Sequence, residues 1–417
     1  MPDRPDILWI VTTQWRASAT GYAGDPNART PHLDALAAAG VNYAQAVTPH
    51  PFGPFARAAL LTGVESPENG VRDYFDPLPL EARTVAHELA QRGYATGWFG
   101  KWHLAPRDRD APLVGEAHAR TLVPAAARGG FEFWEGFEGG FLLNDPWLHG
   151  TRLEVPRKFS GYQSDVVCER AARWLGEMAE CGVRTAECRM ADPGSLRTPR
   201  AALRPWFAVV SLEAPHPPYD APAGGVAPIT AEAVRLRANV PPGGEVEAKA
   251  RRELAGYYAH IEATDRALGG LITAVDTAAV RRGVRPPVIV FTSVHGDMHG
   301  AHGRFRKGWP YEESVRVPLV IRGAPAERAG RISADPVSLV DLPVMARAWA
   351  EGRAWCCERD HATISMPSVV HLPHQCDRVW RGVRTATSKR VANADGTPWL
   401  RFDLGKDPLE MKNLVHR

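Results

Sequence analysis

The apolar run Ile7–Val11 constrains the fold of this chain more than any other feature of its sequence. Similar stretches follow at Ala95–Phe99, Trp206–Leu212 and Val288–Ser293. A run that is apolar at successive positions, not at alternate ones, is typical of a strand buried on both faces of a parallel sheet. Because helical patterns separate these stretches, we predict an α/β fold, with a mainly parallel mixed sheet flanked by helices.

The helical patterns have recognisable ends. We predict helices over Leu33–Ala39, Leu80–Arg92 and Glu253–Val275. Pro31 lies near the first turn of the first helix and Gly40 follows its end, which is the usual placement of these two residue types.

Two stretches lack such patterns. Residues 105–165 and 176–204 are rich in Gly, Pro and Arg, and we expect loops or insertions over the sheet edge. After about residue 325 the segments become short and end in Val379–Arg401, which predicts a small antiparallel subdomain. We therefore divide the chain into a large α/β domain, 1–325, and a C-terminal subdomain, 326–417.

Charge and composition exclude several classes of protein. The chain has 50 basic and 47 acidic residues, and a net charge of +3 is too small for its length to indicate a nucleic acid or membrane partner. No signal peptide or membrane span is recognisable, so we expect a cytoplasmic protein. The six cysteines are irregularly spaced and are predicted to be free thiols. The oligomeric state stays open.

Polar residues follow directly after the predicted strands. Thr12–Gln14 follows the first strand, Gly100–His103 the next, His216 comes after the third, and Ser293–Asp297 ends the fourth. In α/β sheets, ligands bind beyond the carboxyl ends of the strands. These residues, together with the segment 50–63, are therefore the candidate site.

Seven short motifs occur in the order typical of type I sulfatases, and together they span nearly the whole chain. The motifs are Thr30-Pro31-His32-Leu33-Asp34, Arg57–Gly63, Gly100-Lys101-Trp102-His103-Leu104, Ala214-Pro215-His216, His295-Gly296-Asp297, Tyr311–Leu319 and the terminal Phe402-Asp403-Leu404 with Asp407-Pro408 and Asn413-Leu414. The chain thus resembles the type I sulfatase family of the alkaline-phosphatase superfamily. The resemblance implies the fold of that family.

The resemblance also implies a site that this sequence does not complete. Such sulfatases carry a formylglycine nucleophile made from a Cys in a C-x-P-x-R motif. The matching position here is Gly53, with Phe55 where the motif has Pro. They also hold a calcium-like ion through acidic residues, and the matching positions are Thr13, Gln14, Val294 and His295. Hard divalent ions prefer carboxylate oxygens, which these four positions lack. We therefore predict no metal and no other cofactor.

The losses are mutually consistent. Two buried carboxylates without their ion would cost roughly several kcal/mol per charge. Replacing the ion and the carboxylates together changes the charge of the site little.

A basic set of residues remains. We predict that Arg57, together with Thr13, Gln14 and His295, binds the substrate, and the resemblance assigns anion binding to the position of Arg57. It assigns acid/base and oxyanion roles to His103, His216, Lys101 and Lys307. Arg binds an oxyanion through a planar fork, Lys offers a point charge, and His exchanges protons near neutral pH. We expect a pocket that binds an anionic small molecule.

Three functions stay open on sequence alone. The chain is an enzyme with altered, metal-independent chemistry, or a non-catalytic protein that binds an anionic ligand or partner, or a sulfate- or phosphate-ester hydrolase with a rebuilt site. His295, His299 and His302 are spaced for one helix face, which would suit a new metal site, but Gly296, Gly300 and Gly303 disfavour a helix there.

Overall fold

The computed structural model describes residues 4–190 and 204–415, with side chains omitted for residues 180–190. Ten strands form one large sheet: β1 Ile7–Thr12, β2 Val41–Tyr43, β3 Ala95–Lys101, β4 Phe133–Phe137, β5 Trp147–Gly150, β6 Arg157–Lys158, β7 Trp206–Ser211, β8 Val288–Ser293, β9 Leu319–Arg322 and β10 Arg331–Ser333. Their order across the sheet is β10-β2-β9-β8-β1-β7-β3-β4-β5-β6.

The centre of this sheet is parallel. Strand β1 pairs in parallel with β7 and β8, with Ile7 opposite Phe207 and Val288, and β3 pairs in parallel with β7 and β4. Antiparallel pairs involve β9 on one side and β5 and β6 on the other. The predicted mainly parallel mixed sheet is confirmed.

In the described parts of the chain, eight helices accompany the sheet: α1 Pro31–Ala39, α2 Gly53–Thr62, α3 Val85–Gln91, α4 Glu116–Ala119, α5 Gln163–Met190, α6 Gly244–Arg282, α7 Glu312–Val315 and α8 Leu342–Ala350. Short 3-10 turns cover Ala125–Ala127, Ala301–Gly303 and Leu339–Asp341. Pro stands in the first turn of α1, and α2 ends at Gly63, whose φ of 72° is the left-handed value that favours glycine.

Alternate residues of β1 face two separate apolar layers. Ile7, Trp9 and Val11 pack into the layer that contains residues of α2, α3 and α8. Leu8 and Ile10 pack into the layer that contains residues of α1, α5 and α6. Burial on both faces explains why β1 is apolar at every position.

A second, four-stranded antiparallel sheet follows. Its strands are β11 His361–Met366, β12 Trp380–Thr385, β13 Ser388–Asn393 and β14 Pro398–Asp403, in that spatial order. This confirms the predicted small antiparallel element. Because β10 pairs with β2 of the large sheet, residues 331–333 belong to that sheet, and the division at residue 325 stays a prediction.

Three local predictions were wrong. The stretch 105–165 contains β4, which pairs with β3 inside the large sheet, as well as β5 and β6. The stretch 176–190 continues α5, while 191–203 lies outside the described residues. The helix predicted from residue 80 begins only at Val85, where Thr84 caps it by accepting a hydrogen bond from the Ala86 N–H. The helix predicted over 253–275 is part of the 39-residue α6.

Four of the cysteines are free thiols, as predicted: Cys168, Cys356, Cys357 and Cys376. Cys181 and Cys188 lie outside the described side chains. Within the described parts of the chain, no helix combines the length and apolar character needed to cross a bilayer.

Candidate functional site

The carboxyl ends of β1, β3, β7 and β8 meet at a cleft of about 730 Å³. Seven of the residues selected from the sequence line it: Thr13, Gly53, Lys101, His103, His216, His295 and Lys307. Arg57 and Gln14 lie next to this lining and contact it through hydrogen bonds. The structure therefore brings the predicted site residues together, apart from Val294, which is fully buried in the apolar core.

Arg57 extends from α2 toward the end of β1. Its Nη2 donates to the Thr13 hydroxyl at 2.8 Å and to the Ser211 hydroxyl at 3.4 Å. The Nε and Nη1 groups have no hydrogen-bond partner among the described residues, although the side chain is buried. Burial lowers the pKa of Arg57 to about 10, so the guanidinium is charged at neutral pH. Two donor nitrogens of this buried cation are therefore available to a ligand.

His103 occupies the space in front of Gly53. A Cβ on Gly53 would lie 2.9 Å from Nδ1 of His103 and 3.5 Å from Nη1 of Arg57. The His103 backbone has a φ of 61°, which is uncommon for a residue with a side chain, and its Nδ1 has no partner among the described residues. The imidazole therefore stands where the side chain of residue 53 would begin.

Lys101 ends β3 and forms a buried ion pair. Its Nζ lies 2.7 Å from Oε1 of Glu213, which follows β7, and both side chains are almost fully buried. Burial lowers the pKa of Lys101 to about 8, against the opposing attraction of Glu213. Lys101 is therefore mainly protonated at neutral pH and close to the range in which it releases its proton.

Lys307 lies in the loop that follows β8. Its Nζ donates to Oε1 of Gln14 at 2.7 Å and to Nε2 of His216 at 3.0 Å. It forms no ion pair with a carboxylate in the described parts of the chain. Burial and the charge of Lys101 lower the pKa of Lys307 to about 7.

Three of the four histidines that line the cleft, His103, His216 and His295, are neutral at pH 7. Burial and the nearby cations hold the pKa values of His103, His216 and His295 well below the ordinary value. Because Lys307 donates to Nε2 of His216, the proton of that imidazole is on Nδ1, which donates to the Pro217 carbonyl at 2.8 Å. Nδ1 of His103, by contrast, is buried next to Gly53 and has no hydrogen-bond partner among the described residues.

Phe141 is a site residue that the sequence reasoning missed. Its ring stacks on His216 with a centroid distance of 4.4 Å and an interplanar angle of 3°, and Lys101 Nζ lies 4.7 Å from its centroid. A φ of 53° makes its backbone strained for a residue with a large side chain. Phe141 lies in the stretch 105–165, which lacks the periodicity of a helix or a strand, so nothing in the sequence indicated its role.

The family model described as Sulfatase matches residues 5–351. The chain belongs to the sulfatase family.

Relatives support this membership at different levels of similarity. The ulvan-active sulfatase of Formosa agariphila is 34% identical over 350 residues, which cover 82% of this chain but only 60% of that protein. An arylsulfatase of Clostridium perfringens is 25% identical, and the match covers 99% of this chain and 90% of that protein. A solved structure of a Bacteroides thetaiotaomicron protein of glycosaminoglycan metabolism has a TM-score of 0.76 at 19% identity, covering 99% of this chain and 92% of that one, which shows the shared fold.

The side-chain oxygens of Thr13 and Gln14, which the sequence analysis predicted at a degenerate metal site, contact cations of the protein itself. Oγ1 of Thr13 donates to the Leu212 carbonyl and accepts from Arg57. Oε1 of Gln14 accepts from Lys307, while its amide nitrogen donates to the Asp297 carboxylate. The Nε2 atom of His295 is buried and has no hydrogen-bond partner among the described residues.

Asp297 has a carboxylate close to these positions, but it is already fully engaged. It accepts from the Tyr219 hydroxyl at 2.7 Å and from the backbone N–H groups of His299 and Arg306, both at 2.9 Å. Burial alone would raise the pKa of this carboxyl, but His299, Arg306 and these hydrogen bonds outweigh it and hold the pKa well below the usual range.

The three histidines spaced for a helix face contact different partners. His295 donates toward Gly296, His299 packs against Tyr257 with ring centroids 4.3 Å apart, and His302 stacks on Tyr311 at 4.2 Å. Their backbone is not α-helical, as the glycines predict. The one group of potential metal ligands found among the described residues is His302 with Glu313 and Glu410, outside the cleft.

A side chain at position 53 should destabilise the sulfatase fold through His103. We expect Gly53→Ala to lower the free energy of unfolding by about 1–3 kcal/mol, because the imidazole must leave its place. Chemical denaturation measures this change.

The matched control is Gly176→Ala, at a helix position where an added Cβ meets nothing within 4 Å. That variant should be neutral or more stable, by about 0.5–1 kcal/mol. In a double-mutant cycle, His103→Ala should remove most of the cost of Gly53→Ala. Equal costs with and without His103 would show that the contact is unimportant.

Anion affinity should fall as the pH rises through the pKa values of the two lysines. Sulfate keeps its charge over this range, whereas Lys307 and Lys101 lose their protons near pH 7 and pH 8. We expect calorimetric titration with sulfate to give the tightest binding near pH 6 and much weaker binding at pH 9. In Lys101→Arg, the decrease in sulfate affinity near pH 8 should disappear and the decrease near pH 7 should remain. A sulfate affinity that does not change with pH would contradict the role of the two lysines.

Proposed function

We propose that this sulfatase-family chain binds an anionic small molecule in the cleft and acts on it by metal-independent acid/base chemistry, without a formylglycine nucleophile. One observation carries the proposal. Arg57 and Lys307 are buried cations at the cleft, neither has a carboxylate partner among the described residues, and Arg57 has two unfilled donors.

Electrostatics supports an anionic ligand. A buried charge without a counter-charge costs several kcal/mol even after relaxation. Glu213 and Glu138 attract Arg57, and Asp297 and Glu213 attract Lys307, without an ion pair within 4 Å. A sulfate, phosphate or carboxylate group between Arg57 and Lys307 would add a direct counter-charge and fill the free N–H groups of Arg57. The relatives named above as sulfatases act, by those names, on sulfate esters, which share this anionic group.

The donor set supports the absence of metal chemistry. A calcium-like ion requires several oxygen ligands, usually with carboxylates among them. Here Val294 offers no ligand atom, and the oxygens of Thr13 and Gln14 already accept hydrogen bonds from Arg57 and Lys307. A divalent cation at this point would be repelled by both side chains. The four positions therefore do not fit such an ion.

The chemistry that remains is proton transfer. Gly53 has no side chain that could attack an ester. His103 is neutral and has a free ring nitrogen, so it can accept a proton from a bound ligand. Lys101 is protonated and can donate one, with Glu213 holding its ammonium in place. Arg57 and Lys307 would stabilise negative charge on the ligand during the reaction.

Removing Arg57 should remove anion binding. We expect Arg57→Ala to weaken sulfate binding by at least about tenfold, because charge-assisted hydrogen bonds contribute roughly 1.5–3 kcal/mol each. Calorimetry, or the increase of the melting temperature with sulfate, measures this effect. The control is Arg331→Ala, at an exposed arginine away from the cleft. Unchanged sulfate binding in Arg57→Ala would refute the proposed anion site.

Purified protein should contain no stoichiometric divalent metal and should not hydrolyse a phenyl sulfate ester. Elemental analysis and an arylsulfate turnover assay on the same sample test both expectations. Stoichiometric calcium or zinc together with turnover would establish a rebuilt hydrolase site. In that case the metal-independent chemistry would be wrong, while the anion site itself would stand.

A further inference from the structure

The backbone of His103 has a conformation that needs support from its surroundings. Its φ of 61° lies in the left-handed region, which is uncommon for a residue with a side chain and persists where neighbouring groups impose it. Nδ1 of the imidazole has no hydrogen-bond partner among the described residues, so no bond at that atom fixes the ring beside Gly53. The orientation of His103 therefore depends on contacts made by its backbone and by the faces of its ring.

One glutamate binds three consecutive backbone N–H groups at this turn. The Glu138 carbonyl accepts from the His103 N–H at 3.1 Å. Oε2 of Glu138 accepts from the N–H groups of Leu104 and Ala105, at 3.2 and 3.1 Å. Successive N–H groups that converge in a turn form a site for an anion, and a carboxylate makes strong hydrogen bonds to them. Glu138 thus binds the backbone of His103 and of the two residues that follow it.

Arg107 links the same carboxylate to the ring of His103. Its Nε lies 3.5 Å from Oε1 of Glu138, and both side chains are almost fully buried. The guanidinium donates to the Tyr74 carbonyl and lies over the Tyr74 ring, with 4.5 Å between Cζ and the ring centroid. That ring meets the His103 imidazole edge to face, with centroids 5.8 Å apart. The contacts that begin at Glu138 therefore return to His103 through an aromatic ring.

Glu138 itself lies behind the cleft. His103 and Tyr74 line the cleft, whereas Glu138 is fully buried and is not part of the lining. Burial of a carboxylate costs free energy that an apolar residue of similar size would not incur. A role in holding the turn 103–105 explains why a glutamate stands at this position.

We propose that Glu138 is a positioning residue, which holds the His103 imidazole beside Gly53 through its hydrogen bonds to residues 103–105. The inference rests on the proposed function only for the role of His103 as the proton acceptor. Without these hydrogen bonds, the His103 backbone is free to leave the left-handed region and the ring turns away from position 53.

Two substitutions separate the hydrogen bonds of Glu138 from its charge. Glu138→Gln keeps an oxygen at the same distance from the backbone and loses the charge next to Arg107. Glu138→Asp keeps the charge, but its side chain is shorter by one methylene group and no longer reaches the N–H groups of Leu104 and Ala105. Burial raises the pKa of Glu138 to about 7, so the variants are compared at pH 8, where the carboxyl of the unchanged protein is ionised.

The effect of Gly53→Ala on unfolding reports the position of the imidazole, because the added Cβ meets that ring. In the unchanged protein and in Glu138→Gln, Gly53→Ala should raise the unfolding equilibrium constant at least about fivefold. In Glu138→Asp it should raise that constant less than about twofold. Chemical denaturation of each variant with and without Gly53→Ala measures this. Glu135→Asp is the control, since Glu135 is also a buried glutamate paired with an arginine and should leave the effect of Gly53→Ala unchanged.

The pattern across the two variants decides the inference. An equal effect of Gly53→Ala in Glu138→Gln and Glu138→Asp, or a loss of the effect in Glu138→Gln alone, would overturn the positioning role. The predicted pattern in a protein that binds no sulfate would support the positioning role and overturn the proposed anion site. Calorimetry with sulfate on the unchanged protein therefore keeps the failure of the two proposals apart.

Discussion

Two buried cations without carboxylate partners set the conditions for the rest of the site. Arg57 and Lys307 are 1% and 7% exposed, and burial of an unpaired charge is among the most costly arrangements in a protein. Part of the cost is reduced by neutral acceptors, Thr13 for Arg57 and Gln14 for Lys307. Another part is reduced because Lys307 has a lowered pKa and is only partly charged at pH 7.

The neutral residues at these positions follow from the same constraint. A carboxylate at position 13 would pair with Arg57, and the guanidinium would then no longer be free for a ligand. Thr13 accepts one hydrogen bond from Arg57 and donates its hydroxyl hydrogen bond to the Leu212 carbonyl, so it holds the guanidinium without cancelling its charge. Thr13 beside Arg57 and Gln14 beside Lys307 are thus both neutral acceptors that satisfy a buried cation.

The sheet was predictable from the sequence because burial on both faces leaves a direct trace in apolar runs. The position of Lys101, His216 and His295 followed from it, since residues just after parallel strands meet at one edge. Strand β4 left no such trace. It includes Glu135, whose carboxylate is tolerated because Arg170 of α5 forms an ion pair with it. Phe141 and Glu213 could not be found either, because their roles depend on loop geometry and on a partner distant in sequence.

The contact between Gly53 and His103 has a consequence for how this protein can change. Any residue larger than glycine at position 53 would clash with the His103 imidazole, because Nδ1 of that ring lies 2.9 Å from the point where the Cβ would be. A side chain at position 53 would require His103 to adopt another orientation, and its left-handed backbone limits the choices. The side chain that position 53 can accommodate therefore depends on the residue at position 103.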